Sequence, residues 1–297
     1  MAYGLVHRPY FSIMKHDELQ AVEALATRLP PAPAGEVWIG DDAAVLRAPA
    51  GPLLLAADTV VEGVHVDLAV LSVADMGWRA LVRNVSDIAA MGGRPLHAVV
   101  TVVVPPGRGG DLAALYDGIG DASAAYVCPV VGGDLTAGPA LVVTVAITGT
   151  IDDGGAPVLR SGARVGDTIF VTGPLGAAAA SGWTLARPEA RVAEGRAARL
   201  GGATAMLDLS DGLGVDLRRL ATASGVGVIV EDVPVADGAT LDDAVGGGED
   251  YELVFTAGDV DAVRTAFAGL REPIVIGRVT EGGDVVGLAE GGWEHRW

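Results

Sequence analysis

The chain has 297 residues, half of them hydrophobic, and a formal net charge of −18 at pH 7. This acidic balance argues against a nucleic-acid partner or an anionic membrane surface, and no apolar run approaches the ~18–20 residues of a spanning helix. The N-terminus lacks a basic-then-apolar signal pattern, and the single cysteine, Cys128, excludes an internal disulfide. We therefore expect a soluble, cytoplasmic protein, long enough for two domains.

Lysine is almost absent from the chain. Lys15 is the only lysine, and every other basic side chain is Arg or His. No Gly-x-x-x-x-Gly-Lys-Ser/Thr motif occurs, so the chain has no P-loop. If the protein handles phosphates, their charge must be neutralised by arginine, backbone amides or metal ions.

The first half of the chain predicts alternating helices and strands. Ser72 is a plausible N-cap, with Asp75 three residues later. A short apolar strand at 53–55 delivers Asp58 to its end, and Gly132-Gly133-Asp134 is predicted as a turn after another strand. The predicted helices are 16–28, 72–91 and 111–125, and the predicted strands are 38–46, 53–55, 97–104, 130–131 and 141–150.

Residues 151–157, with two Asp and two Gly, are the predicted junction between two domains, 1–150 and 151–297. A second α/β unit follows, in which Gly173-Pro174-Leu175-Gly176 opens an alanine-rich helix. Ser210-Asp211-Gly212 precedes another helix, which ends near Ser224. The remaining predicted elements are strands at 168–172, 205–209, 226–230, 251–256 and 273–279 and a helix at 259–270.

Acidic residues recur beside Gly or Ser at predicted strand ends. Each cluster alone is explained by ordinary turn chemistry, because Asp and Gly are common turn formers. All of them share one layout, however, and ligand sites in open α/β structures collect at such strand ends. We therefore expect these residues to converge on Asp58. The positions are Asp41/Asp42, Asp58, Asp134, Asp208/Asp211 and Glu249/Asp250, with Asp87 on a helix as a sixth.

Converging carboxylates favour a magnesium site. Two carboxylates 4 Å apart repel by roughly 4 kcal/mol at an effective dielectric of 20, and Mg²⁺ relieves that repulsion through the oxygen ligands it prefers. Several bridging Mg²⁺ ions would also let an acidic, lysine-poor protein bind a nucleoside triphosphate. The glycines at 132–133 and 173–176 are candidate phosphate-binding amides, and each is equally consistent with a plain turn.

Five single residues have both a functional and a simpler interpretation. Arg160 is a phosphate contact or a surface arginine, and His65 orients a substrate phosphate or caps its turn. Trp293 stacks on a heteroaromatic ring or fills a core, and Tyr126 contacts adenine or packs in a core. Cys128 is most simply a small buried residue. Spacing alone leaves these alternatives open.

Eight motifs in a fixed order carry a family resemblance. They are Gly-Asp-Asp at 40–42, Asp-Thr-Val-Val-Glu-Gly-Val-His at 58–65, Asn-Val-Ser-Asp-Ile-Ala-Ala-Met-Gly at 84–92, Gly-Gly-Asp-Leu-Thr at 132–136, Arg-Ser-Gly-Ala-Arg-Val-Gly-Asp at 160–167, Val-Thr-Gly-Pro-Leu-Gly at 171–176, Asp-Leu-Ser-Asp-Gly-Leu at 208–213 and Gly-Gly-Glu-Asp-Tyr-Glu-Leu at 247–253. From about residue 36 to the C-terminus the chain resembles the thiamine-monophosphate kinases, of the superfamily that includes aminoimidazole ribonucleotide synthetase.

The resemblance implies a fold and an activity. The fold is α+β in two domains, with an N-terminal α+β domain that forms a homodimer across a β-barrel and a C-terminal α/β domain. The nucleotide lies in the cleft between the domains. The implied reaction is the ATP-dependent phosphorylation of thiamine monophosphate to thiamine diphosphate, assisted by several Mg²⁺ ions.

The resemblance also implies roles for particular residues. The catalytic residues are Asp58, Asp211 and Arg160. The metal ligands are Asp42, the carbonyl of Ala57, Asp58, Asp87, Asp134, Asp208 and Asp211. The nucleotide contacts are Gly133, Asp134, Arg160, Ser210 and Tyr126, and the substrate contacts are His65, Glu249 and Trp293.

Two departures and three rival enzymes accompany the resemblance. Ala56-Ala57 stands where many members have hydroxyl residues before Asp58, and Ala137 replaces an arginine. Selenophosphate synthetase needs a reactive Cys or selenocysteine near the N-terminus, and the hydrogenase-maturation carbamoyl dehydratase needs a C-terminal Cys where this chain has Trp297. Aminoimidazole ribonucleotide synthetase remains an enzyme alternative, and a nucleotide- or thiamine-phosphate-binding protein that lost catalysis is the non-enzyme alternative.

Overall fold

The computed structural model describes residues 14–293, with side chains from Gln20 onward. The chain forms two sheets, each accompanied by helices, so the predicted α+β architecture is confirmed. Within the described residues, no helix combines the length and the apolar character needed to cross a membrane.

The first half of the chain folds into a four-stranded sheet and its helices. In chain order these are α1 (Met14–Ala26), β1 (Leu53–Val61), α2 (Val73–Ala90), β2 (Arg94–Val104), α3 (Asp111–Tyr126), β3 (Val130–Ala137) and β4 (Val142–Thr150). The strand order is β1-β4-β2-β3, and β2 and β3 are parallel because α3 connects them. Helix α2 packs on α3 and on the sheet, over a core that includes Leu81, Leu115 and Ile147.

Two local predictions in this sheet were wrong. The strand predicted at 53–55 continues to Val61 and pairs with β4 over its whole length, so Asp58 lies opposite Val145 inside the strand. Gly132-Gly133-Asp134 is not a turn but the middle of β3. A Cβ atom at Gly133 would lie 1.9 Å from the carbonyl oxygen of Val100, so glycine here permits a close approach of two backbones.

The second half of the chain folds into a six-stranded sheet with order β10-β7-β9-β5-β8-β6. Its elements are β5 (Thr168–Val171), α4 (Ala177–Ala180), α5 (Val192–Leu200), β6 (Ala203–Asp208), α6 (Leu213–Ser224), β7 (Gly227–Val230), α7 (Leu241–Gly246), β8 (Leu253–Ala257), α8 (Val260–Ala266), β9 (Ile274–Thr280) and β10 (Val285–Val286). Only β10 and β7 pair in parallel, so this sheet is mixed rather than a parallel α/β sheet.

Helix α2 is the element shared by the two halves. It contacts β1 and β4 of the first sheet, and also α5 and β6 of the second half. Gly195 in α5 allows this approach, because a Cβ atom there would lie 2.1 Å from the carbonyl oxygen of Ala89. The capping box of Ser72 and Asp75, as predicted, fixes where α2 begins.

Candidate active site

Three charged side chains line one face of helix α2. Arg79, Arg83 and Asp87 are spaced four residues apart, so they lie along one stripe over roughly 12 Å of helix axis. Most of the helix is buried. The charged stripe meets β1 of the first sheet, the end of β6, and the loop before β8.

Arg83 lies between carboxylates from the two halves of the chain. Its Nε atom is 2.8 Å from Oδ2 of Asp58, and its Nη1 atom is 3.8 Å from Oε1 of Glu249. Neither contact has the alignment of a hydrogen bond, and both nitrogens are buried. Burial opposes the charged form of Arg83, but Tyr251, Asp58 and Glu249 outweigh it and raise the pKa. The guanidinium therefore stays charged.

Arg79 connects Glu249 to the segment of residues 183–190, here called the crossing segment. Its Nη1 donates to Oε2 of Glu249 at 2.7 Å, and its Nη2 donates to the carbonyl oxygens of Trp183 and Leu185. The crossing segment continues over the first half of α2, where Trp78 donates to the carbonyl of Pro188 at 2.8 Å. This segment therefore packs on the first half of α2, next to the side chain that binds Glu249.

The loop that carries Glu249 has a strained backbone. Glu249 and Tyr251 have φ angles of +59° and +51°, in the left-handed region that non-glycine residues rarely adopt. Backbone hydrogen bonds hold this conformation: Glu249 donates to the carbonyl of Ser210 at 2.8 Å, and Tyr251 to that of Leu209 at 3.1 Å. Strain of this kind concentrates at functional sites.

Three carboxylates, Asp58, Asp87 and Asp208, form the interdomain acidic cluster. Burial, together with the neighbouring carboxylates of Asp208 and Asp58, raises the pKa of Asp87 to about 7. Burial also raises the pKa of Asp208, although Ser86 opposes this by donating to Oδ2 at 2.6 Å. The cluster therefore has less positive charge nearby than its carboxylates need.

Asp211 lies next to this cluster in the loop between β6 and α6. Its carboxylate pairs with Arg219, and its backbone N–H donates to Oδ2 of Asp216 at 2.9 Å. Asp216 is buried, and burial raises its pKa to about 6. Asp216 thus fixes the loop that presents Asp211.

The donor set suits a hard divalent cation. All three residues of the interdomain acidic cluster, and Asp211 beside it, offer the carboxylate oxygens that Mg²⁺ prefers, and crowding raises the pKa of Asp87. Within residues 20–293, however, no group of three or more His, Cys, Asp or Glu side chains could hold a metal ion as arranged. Arginines engage two of these carboxylates instead, Arg83 at Asp58 and Arg219 at Asp211.

Several residues with predicted roles lie together. Ser210 and Asp211 accept backbone hydrogen bonds from Glu249 and Trp293 at 2.8 and 2.9 Å. Arg160 is exposed at the surface, and its charge lowers the pKa values of Asp87 and Asp208 against burial.

Four further residues with predicted roles have defined local contacts or positions. Asp42 is exposed in a turn and Ala57 lies opposite Ala146 in β1. His65 accepts a 3.1 Å hydrogen bond at Nδ1 from Val61. Tyr126 packs against Trp78 and its hydroxyl accepts from Ala190 at 2.8 Å.

Asp134 lies on the edge strand opposite to that of Asp58. The strand order places β4 and β2 between β1 and β3, and Asp58, Val145, Val100 and Gly133 form one transverse row. Three strand spacings amount to roughly 14 Å. One chain therefore does not bring Gly133 and Asp134 next to Asp58.

Four side chains that hold the site together were not predicted from the sequence. Arg79 and Arg83 shared a detectable signal, because charged residues four apart on an apolar helix share one face. Ser86 and Asp216 gave only weak signals. Ser86 donates to Asp208, which is distant in sequence, and Asp216 accepts from the nearby backbone N–H of Asp211.

Comparisons with known proteins agree with this architecture. Residues 40–151 match the family described as "AIR synthase related protein, N-terminal domain", and residues 164–289 match its C-terminal domain. The thiamine-monophosphate kinase of Bacillus subtilis is 35% identical, over 89% of this chain and 92% of that protein.

Two solved structures are similar over most of the chain. The thiamine-monophosphate kinase of Stenotrophomonas maltophilia has a TM-score of 0.76 and 31% identity, covering 90% of this chain and 95% of that one. The protein AaThiL, solved in complex with AMPPCP and TMP, has a TM-score of 0.74 and 31% identity, covering 87% and 92%. The chain thus belongs to the thiamine-monophosphate kinase family of AIR synthase related proteins.

Proposed function

We propose that this protein is an ATP-dependent kinase that phosphorylates thiamine monophosphate to thiamine diphosphate. The proposal rests on the interdomain acidic cluster, which brings Asp58 of the first sheet together with Asp87 of α2 and Asp208 at the end of β6. It lies beside Glu249, and the chain is similar to a protein solved with an ATP analogue and TMP.

The acidic cluster is the proposed site for Mg²⁺. Asp58, Asp87, Asp208 and Asp211 would hold the ions, with Asp42, the carbonyl of Ala57 and Asp134 as further ligands. Bound Mg²⁺ supplies charge neutralisation for the phosphates of ATP. The Nε atom of Arg83 is 2.8 Å from Oδ2 of Asp58. Arg83 must therefore move away before that oxygen can bind a metal.

The protein's own side chains position the two reactants. The acceptor is a phosphate oxygen that is already anionic at neutral pH, so the transfer needs no strong general base. Catalysis then depends on alignment and on charge stabilisation. Arg160, Ser210, Gly133 and Tyr126 are the proposed nucleotide contacts, and His65, Glu249 and Trp293 are the proposed substrate contacts.

A second copy of the chain is the proposed source of Asp134. The first sheet leaves Leu53, Leu55 and Val99 exposed, at 60%, 74% and 41%, which is an apolar face suited to association. If two such sheets close into a barrel, the β3 edge of one copy meets the β1 edge of the other. Asp134 of one chain would then join Asp58 of its partner.

Mixed dimers test this arrangement. Chains with Asp58→Asn and chains with Asp134→Asn are each expected to be inactive. A mixed dimer would contain one site with both substitutions and one intact site if the residues come from different chains. We therefore expect activity to return on mixing. Continued inactivity of a mixed dimer, verified by mass, would place both residues in one chain's site.

Leu55→Glu is expected to give monomers by light scattering.

Product identification tests the proposed reaction. The protein is incubated with ATP, Mg²⁺ and thiamine monophosphate, and ADP and thiamine diphosphate are quantified together. We expect the two products in equal amounts. The substrate of aminoimidazole ribonucleotide synthetase serves as the comparison and is expected to give no ADP above background. ADP release with the synthetase substrate but not with thiamine monophosphate would overturn the proposal. Tight binding of ATP and thiamine monophosphate without any product would also overturn it.

A further inference from the structure

Trp183 is a solvent-exposed aromatic residue held in one orientation. It is 52% exposed, yet its Nε1 donates to the carbonyl of Gly247 at 3.1 Å and its backbone N–H to that of Ala178 at 2.9 Å. Its own carbonyl accepts from Arg79 at 3.2 Å. Its φ angle of +58° is left-handed. Such backbone strain persists only where the surrounding contacts enforce it.

These contacts place Trp183 beside the proposed substrate contacts. Gly247, which accepts from the indole, is two residues before Glu249, and Arg79 binds both the Trp183 carbonyl and the Glu249 carboxylate. Trp293, which is 54% exposed, donates to the backbone of Asp211. Trp183 thus lies at the loop of Gly247 and Glu249, and Trp293 lies at the loop of Ser210 and Asp211, to which Glu249 donates.

The charged stripe of α2 has a direction, because its two ends have different neighbours. Asp87, at one end, belongs to the interdomain acidic cluster, whereas Arg79, roughly 12 Å away, contacts Glu249 and Trp183. A ligand with a phosphate at one end and aromatic rings at the other fits this direction. Its phosphate would face the Mg²⁺ proposed for the acidic cluster, and its rings would then lie beside Trp183.

We propose that Trp183 is a substrate-binding residue that stacks on the heteroaromatic end of thiamine monophosphate. This inference rests on the proposed function. The thiazolium ring is a cation, and indole is the best aromatic partner for a cation. Glu249 adds a negative charge nearby. Because polar contacts already fix the indole, little side-chain entropy is lost on binding.

Calorimetric binding of two probes to three proteins tests the role of Trp183. The probes are thiamine monophosphate and AMPPCP with Mg²⁺, and the proteins are wild type, Trp183→Leu and Trp183→Phe. We expect Trp183→Leu to weaken binding of thiamine monophosphate about 5- to 30-fold, which corresponds to one stacking or cation–π contact. Trp183→Phe should recover most of that loss, and AMPPCP affinity should change less than about 2-fold.

A matched control is Trp38→Leu. Trp38 also donates its indole N–H to a neighbour, Glu36 at 2.8 Å, and packs edge-on against His97. Its removal is expected to leave the affinity for thiamine monophosphate unchanged. Loss of fluorescence quenching by thiamine monophosphate in Trp183→Phe, relative to Trp38→Phe, gives a second readout.

Three outcomes would overturn the assignment. Unchanged affinity of Trp183→Leu for thiamine monophosphate excludes stacking, and equal losses for Leu and Phe indicate packing instead. Parallel losses for both probes indicate a damaged fold. If the wild type itself neither binds nor phosphorylates thiamine monophosphate, the proposed function fails first. A wild type that phosphorylates it normally confines the failure to Trp183.

Discussion

The carboxylates of this protein are neutralised in two different ways. Glu252, in the motif that also holds Glu249, is 4% exposed and accepts from Thr172, Arg191 and Arg271. We call these four residues the Glu252 cluster. In the interdomain acidic cluster of Asp58, Asp87 and Asp208, one arginine, Arg83, contacts Asp58 and one hydroxyl, that of Ser86, donates to Asp208. The pKa of Asp87 rises to about 7.

The difference separates a structural charge from a functional one. A buried carboxylate with two arginines and a hydroxyl is satisfied by its own fold and needs no further ligand. Crowded carboxylates that repel each other are stabilised by whatever cation binds next. Acidic residues at a strand end are therefore informative only once their partners are known. Four substitutions sharpen this comparison.

The largest effect is expected for Asp58→Asn. Removing this carboxylate should lower turnover at least roughly 10³-fold, because metal-based charge stabilisation is worth several kcal/mol in the transition state. The measurement is ADP release with thiamine monophosphate. Asp117→Asn is the matched control, since Asp117 forms an exposed ion pair with Arg28 at 3.0 Å. Near-normal turnover of Asp58→Asn would remove Asp58 from the site.

Glu252→Gln should lower the free energy of unfolding and leave the rate of phosphorylation unchanged. It leaves Arg191 and Arg271 without their shared carboxylate, and breaking a buried ion pair costs about 3 kcal/mol. Urea unfolding measures the free-energy change. The fraction that remains folded should phosphorylate thiamine monophosphate at the wild-type rate. Full stability combined with lost turnover would reverse the roles of the two clusters.

Asp87→Asn should stabilise the metal-free protein. The folded-state pKa of Asp87, about 7, exceeds the ordinary value of 3.8, so the folded state binds more protons between these values. Wild-type stability is therefore lost as pH rises from about 4 to about 7, by about 2–4 kcal/mol from this group. The advantage of Asp87→Asn should grow over that range and then level off. A difference independent of pH would contradict the raised pKa.

Ser86→Ala is expected to have the smallest effect. It removes the 2.6 Å hydrogen bond to Asp208, and a bond to a charged acceptor contributes about 1–2 kcal/mol. Because Ser86 lowers the pKa of Asp208 against burial, the loss should appear mainly at neutral pH and above. Thermal unfolding at pH 5 and pH 8 checks this. An equal loss at both pH values would show a packing effect only.

Local patterns predicted much of the fold. The capping box of α2 lies within residues 72–75, so the start of this helix followed from sequence. The end of β1 did not, because Asp58 and Thr59 interrupt the apolar run while pairing with β4, about 85 residues away, extends the strand. The position of Gly133 inside a strand was also not predictable, because the need for glycine there comes from the close approach of the Val100 backbone.

The candidate site was predictable in part. Asp58, Asp87 and Asp208 were predicted because each is an acidic residue next to apolar residues of a strand or helix. The structure brings the three side chains close together. The partners of those residues come from distant segments, and local patterns cannot reveal them. Glu249 and Glu252 stand three residues apart in one motif, yet Glu249 pairs with Arg79 of α2 and Glu252 joins a buried ion cluster.

Binding of Mn²⁺, followed by electron paramagnetic resonance with AMPPCP present, tests the central claim most directly. Mn²⁺ replaces Mg²⁺ as a visible probe of the same oxygen ligands. We expect wild type and Glu252→Gln to bind Mn²⁺ alike, and Asp87→Asn and Asp208→Asn to bind it about 10-fold more weakly or worse. Equal binding by all four folded proteins would contradict the claim that the interdomain acidic cluster holds the metal.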